Sequence, residues 1–185
     1  MRQILYVIGA PGSGKTTLVE KALAGCASSL ELKPFAVRWY PEFGQNSGVQ
    51  LGKARREFGG TDTLSMSVQP LVIEWMKMGF NRCIIGEGDR LTSGAFFDAC
   101  FAAGWELTVV HLDTPKELTQ ARCTERGSTQ NEQWMTGRRT KVERLAKKYC
   151  TKDWVLDGRL PVDELALQLR EHPVIDHIRE IAGGR

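Results

Sequence analysis

Gly9-Ala10-Pro11-Gly12-Ser13-Gly14-Lys15-Thr16 is the stretch from which the fold class of this chain is read. It is a complete G-x-x-x-x-G-K-[ST] phosphate-binding loop. An apolar run, Ile4-Leu5-Tyr6-Val7-Ile8, precedes it, and a helix-compatible run from Thr16 to Leu23 follows. That strand–loop–helix context is what the motif requires. The glycines let the backbone curl with its N–H groups turned inward on phosphate oxygens. The helix that starts there adds unpaired N–H groups and the positive end of its dipole. In this pattern Lys15 spans the β- and γ-phosphates, and the Thr16 hydroxyl holds Mg²⁺. Gly9 to Thr16, with Thr17 behind them, form the expected cradle for ATP, with Mg²⁺ as its companion. A plain glycine-rich turn before a helix is the bland alternative.

Beyond the loop, apolar runs alternate with helix-length segments. Strands are expected at 4–8, 34–40, 83–85, 107–112 and 154–156, with helices at 64–78, 93–103, 116–126, 134–149 and 162–169. About five strands alternating with helices predict an α/β fold: one three-layer domain over 1–185 with a doubly wound parallel sheet. Such a sheet binds ligands beyond the carboxyl ends of its strands. The chemistry is therefore expected in the loops after residues 8, 40, 85, 112 and 156.

Composition narrows the class. The 185 residues are 42% hydrophobic and 25% charged, with a net charge of +3. That fits an ordinary globular domain and is too weakly basic to demand nucleic acid. The five cysteines form no C-x-x-C pair, which suits reduced thiols rather than a zinc or redox site. No apolar run reaches transmembrane length. The expectation is a cytoplasmic protein without a membrane partner.

Three further clusters carry candidate chemistry. Gly86-Glu87-Gly88-Asp89-Arg90 closes the third expected strand. A carboxylate on a strand beside the phosphate loop can hold Mg²⁺, and a second can take a proton from an acceptor hydroxyl. Glu87 and Asp89 are candidates for both roles, and Gly-Glu-Gly-Asp is also ordinary turn chemistry. The segment 41–60 is long and rich in glycine and polar residues, as functional loops often are. With Asp62 it makes an expected acceptor-binding segment, 41–62. Tyr40 and Phe43 can stack on a base there, and Lys53, Arg55 and Arg56 can meet an acceptor phosphate, with Arg90 nearby. Finally, 122–148 holds eight basic and three acidic residues, leaving −2 for the rest of the chain. A solvated helix face is one reading. A lid bringing arginines to the transferring phosphoryl group is the other.

With these motifs the chain resembles the kinase branch of the P-loop NTPases. It is similar to small nucleotide-, nucleoside- and shikimate-kinase-like proteins through 9–16, 86–90, Leu-Asp-Thr-Pro at 112–115 with Arg122 and Arg126, and Leu156-Asp157-Gly158-Arg159-Leu160-Pro161. The resemblance implies that Arg122 lies against adenine and that Arg126, Arg138 or Arg139 meets phosphates. It implies an ATP-dependent phosphotransferase acting on a nucleoside- or nucleotide-like acceptor. The usual lid signature of nucleotide kinases is missing, so it does not fix which arginine does what. The stretch 58–66 also resembles phage kinase-like proteins, some of which phosphorylate hydroxymethylated pyrimidines in DNA. DNA is thus an alternative acceptor. A switch or motor NTPase is a third class. The Asn/Thr-Lys-x-Asp and Leu-Ser-Gly-Gly motifs that would mark two of its branches are absent.

Overall fold

The computed structural model describes residues 2–41, 47–53, 59–79, 81–128 and 130–184. Its centre is β1 (Gln3–Ile8), flanked by β5 (Cys83–Glu87) and β6 (Glu106–Asp113), both parallel to it. β7 (Val155–Asp157) continues the parallel set beyond β6, and β4 (Gly48–Leu51) continues it beyond β5. Burial on both faces explains the apolar run of β1: Ile4, Tyr6 and Ile8 point into one core, Leu5 and Val7 into the other. The first core is closed by α2 (Gln69–Met78), α3 (Gly94–Ala102) and the second half of α5 (Glu132–Tyr149). The second is closed by α1 (Lys15–Ala22), α6 (Val162–Arg170) and α7 (Pro173–Ile181). α4 (Lys116–Glu125) follows β6. The three-layer doubly wound fold is as expected. No described helix is long and apolar enough to cross a membrane.

The sheet has seven strands where about five are expected, in the order β2-β3-β4-β5-β1-β6-β7. The two additions are β2 (Ser29–Glu31), an exposed edge strand, and β4. β4 lies inside the segment read as a long loop. Gly48 and Gln50 break its apolar pattern, and each has a packing reason. A Cβ on Gly48 would stand 2.2 Å from Ile178 Cγ1. Gln50 is buried and accepts a hydrogen bond from the Tyr40 hydroxyl at 2.9 Å.

The added strand corrects the expected acceptor segment. The expected second strand forms β3 (Val37–Tyr40), which runs antiparallel to β4. Tyr40 pairs with Gly48, Gly48 with Cys83, and Cys83 with Gln3, all at the edge opposite the phosphate loop. Tyr40 is 1% exposed and packs in the core, so it does not stand at a ligand mouth. Phe43, Arg55 and Arg56 lie outside the described residues. The chain returns through β4, and the described residues 59–63 lie at the phosphate-loop edge, Gly59 and Asp62 lining the cavity over the loop.

α7 was not among the expected elements, although its start signals are in the sequence. Pro173 takes the first turn, and His172 Nδ1 accepts the Val174 N–H at 3.1 Å. The ring is buried, and burial pushes its pKa down to about 4, which keeps the accepting nitrogen unprotonated. The basic segment also divides. Val142, Leu145 and Ala146 are core residues, so α5 from there onward belongs to the packed body. Among the described residues of the segment, Arg126, Gln130, Trp134 and Arg138 line the cavity over the phosphate loop, with Val142 at its inner edge.

Candidate active site

The phosphate loop is built by close backbone approach. A Cβ on Gly9 would meet Ser13 Oγ at 2.6 Å and the Leu112 carbonyl oxygen at 2.9 Å. Gly12 and Gly14 adopt φ of 80° and 100°, and Gly14 is the N-cap of α1 without a side-chain cap. The first N–H groups of α1 are therefore left for an anion. Lys15 folds back over the loop, its Nζ donating to the carbonyls of Gly9 at 3.0 Å and Ala10 at 3.1 Å. Burial pushes its ammonium pKa below the ordinary range, while Glu87, Asp62 and Asp89 pull it upward.

Parallel pairing of β1 and β5 sets Val7 beside Glu87, next to the loop. The Thr16 hydroxyl donates to Glu87 Oε1 at 2.9 Å. Glu87 is 1% exposed; burial pushes its carboxyl up to about 7, against the pull of Lys15 and the Thr16 hydrogen bond. A buried carboxylate that gains from a nearby cation, beside a hydroxyl and a phosphate site, is a donor set suited to Mg²⁺. That ion takes hard oxygen ligands, usually one or two from protein and the rest from water and phosphate. Among the described residues there is no cluster of three or more His, Cys, Asp or Glu that could hold a metal ion.

A cavity of about 400 Å³ opens over these groups, lined by Gly9–Thr17 residues and by Asp62, Glu87, Asp89, Arg126, Trp134 and Arg138 among others. Asp62 sits on a 3-10 turn, Thr61–Thr63. Its Oδ1 accepts the backbone N–H groups of Asp89 at 2.7 Å and Arg90 at 3.1 Å. Beneath it the buried Tyr6 hydroxyl donates to the Gly88 carbonyl, and Thr61 Oγ1 donates to the Glu87 carbonyl at 2.8 Å. Gly60 has φ of 57°, and a Cβ there would stand 2.1 Å from Glu87 Oε1. The turn thus locks Asp62 and Glu87 into one frame.

The basic residues separate by contact. Arg122 donates to the Ser13 carbonyl at 3.0 Å, beside a second cavity of about 310 Å³. That cavity is floored by Leu18, Leu112, Leu160 and Leu165 and bounded by Gly158. Arg126 borders both cavities. Arg138 pairs with Asp89 at 2.7 Å and lies over the Trp134 ring. Arg139 turns away from the main cavity: it donates to the Thr114 carbonyl at 3.0 Å and to Thr119 Oγ1 at 2.8 Å, fastening α5 to the β6–α4 connection. Lys53 hydrogen-bonds through its backbone N–H to Thr63 Oγ1 at 2.9 Å. Arg90 contacts Met66 Sδ through Nη1. The sequence reading missed Trp134, Gln130 and Thr61 as site residues, and Lys141 as a partner of Asp89. Trp134, one of five tryptophans and lying amid the basic residues of 122–148, was the available signal.

The fold and site together define a P-loop protein of the kinase type. The chain matches the family described as P-loop Nucleotide Kinase3 over residues 1–159 and belongs to it. No curated protein matches the chain. Among solved structures it is similar to an unliganded sugar kinase from Janibacter sp. HTCC2649, at 17% identity and a TM-score of 0.56, over 98% of this chain and 99% of that one. It also matches a deoxyadenosine kinase from M. mycoides with dCMP and dCDP bound, at 12% identity and a TM-score of 0.49, over 91% and 97%.

Proposed function

We propose that the protein transfers the γ-phosphoryl group of ATP to a hydroxyl or phosphate oxygen of a small nucleoside- or nucleotide-like acceptor. The observation that carries this reading is the Thr16–Glu87 contact at 2.9 Å inside a cavity shared with Lys15 and Asp62. Membership of a family described as nucleotide kinases supports it. The donor phosphates lie on the loop and the open N-terminus of α1, and the base occupies the leucine-floored cavity beside Arg122. Thr16 and Glu87 would hold Mg²⁺, which would neutralise phosphate charge.

For a hydroxyl acceptor, its oxygen forms a bond to the γ-phosphorus as the bond to the bridging oxygen breaks, releasing ADP. The displaced proton passes to a carboxylate of the cavity. Asp62 serves that role best. Oδ1 is fixed by two backbone N–H groups, and no cationic side chain pairs with the carboxylate among the described residues. Positioning and charge stabilisation supply most of the catalysis in such transfers. Lys15, Arg126 and Arg138 provide the charge. Walls around the reacting centre keep water from taking the phosphoryl group.

The test is transfer of label from γ-labelled ATP to a panel of free nucleosides, nucleotides and sugars, beside DNA carrying hydroxymethylpyrimidines, over a range of salt. Labelling of nucleosides or nucleotides is expected, and labelling of sugars alone would contradict the proposal. Labelling of DNA alone would contradict the proposal. It would fall with salt at a log–log slope of about −0.9 per phosphate contacted.

A further inference from the structure

We infer that Asp89 is a counter-ion for the lid cations, holding Arg138 and Lys141 in place until nucleotide phosphate displaces it, and is neither metal ligand nor base. The inference rests on the phosphotransferase reading above. Asp89 Oδ2 meets Arg138 Nη1 at 2.7 Å, and Oδ1 meets Lys141 Nζ at 2.8 Å. Both carboxylate oxygens are thus spent on α5. The two cations are three residues apart, on one face of the helix. Glu87, not Asp89, receives the Thr16 hydroxyl. Asp62 fixes the backbone of Asp89, so the carboxylate is held from the acceptor side while it restrains the lid side.

This placement has a physical consequence. A free guanidinium at the mouth of the cavity would bind phosphate early and hold product. One paired with a carboxylate must exchange partners first. Asp89, Arg138 and Lys141 are all partly exposed, at 31%, 34% and 22%. Pairs of that exposure are weak enough to be exchanged. ATP brings more negative charge than one carboxylate and wins the exchange. Arg138 stays aimed throughout, because its other face lies on Trp134 at 5.1 Å. Asp89 therefore acts through Arg138, as a positioning residue.

The experiment measures Mg·ATP affinity without acceptor, idle ATP hydrolysis and transfer kinetics in wild type, Asp89→Asn, Asp89→Glu and Asp89→Asn/Arg138→Gln. Asp89→Asn is expected to bind ATP about five-fold more tightly, because a competitor for Arg138 is gone. Its idle hydrolysis should rise. Asp89→Glu, which keeps the charge, should stay near wild type, and the double variant should lose the gain. Asp89→Ser repeats the measurement should Asp89→Asn not fold. Weaker binding that excess Mg²⁺ restores would make Asp89 a metal ligand and overturn the inference. Unchanged affinity with a collapsed kcat would make it the base and overturn it equally. Failure of the folded wild type to bind ATP would instead reject the phosphotransferase reading itself.

Discussion

Lys15→Ala is expected to lower kcat/KM by about 10²–10³-fold, the usual effect of removing one preorganised donor from a transition-state charge. The fold should survive. Among the described residues, Lys15 Nζ bonds only to groups of its own loop, the Gly9 and Ala10 carbonyls and Ser13 Oγ. Water in the cavity can satisfy those acceptors, so the stability change should stay within about 1 kcal/mol. Steady-state kinetics and the thermal midpoint, measured together, separate the two effects. A variant with wild-type turnover would remove the phosphate loop from the mechanism.

Glu87→Gln should abolish most activity, by about 10²-fold, and yet stabilise the nucleotide-free protein at alkaline pH. The carboxyl has an ordinary value of 4.5 and is raised by burial to about 7 in the folded state. Between those values the folded protein keeps a proton that the unfolded chain gives up, so wild type loses stability as the pH rises through that window. The loss amounts to about 3 kcal/mol. His172 works the other way. Its pKa falls from 6.5 to about 4 on folding, so the unfolded chain takes up a proton that the folded state refuses. That contribution is lost as the pH falls below 6.5. Both proteins carry His172, and the difference between them isolates Glu87. Between pH 4.5 and pH 8 the thermal midpoint of the variant should gain several degrees on that of wild type. Glutamine can still accept the Thr16 hydrogen bond, and the cost of burying its two N–H donors does not vary with pH, so the pH-dependent part of the difference reports the carboxyl. A constant difference across pH would show that Glu87 is not held protonated by its burial.

The phosphate loop was legible because its chemistry is local: spacing, glycines and the flanking strand and helix are all read from adjacent residues. Glu87 was legible for a related reason, since a short apolar strand places its last residue beside the loop. What the sequence hid depends on distant pairing. β4 reads as loop because Gly48 and Gln50 interrupt its pattern, and only Ile178 and Tyr40 explain them. Missing that strand reverses β3 and sends Tyr40 to the wrong edge of the sheet. The roles of the basic residues were hidden for the same cause. Arg139 and Arg138 are neighbours in sequence, but one fastens α5 to the β6–α4 connection and the other faces Asp89 across the cavity. Nothing in their local spacing separates them. Asp62 and Asp89 look alike in sequence; the backbone donors at Asp62 and the α5 cations Arg138 and Lys141 at Asp89 divide them.

The central claim is transfer of a phosphoryl group to a small acceptor, and ³¹P NMR of the wild-type protein with Mg·ATP and pooled nucleosides, nucleotides and sugars tests it most directly. The account predicts loss of the γ-phosphate resonance with equal gains of ADP and of a new phosphoester or phosphoanhydride signal. Appearance of ADP and inorganic phosphate alone, at the same rate with and without the pool, would contradict it and make the protein an NTPase.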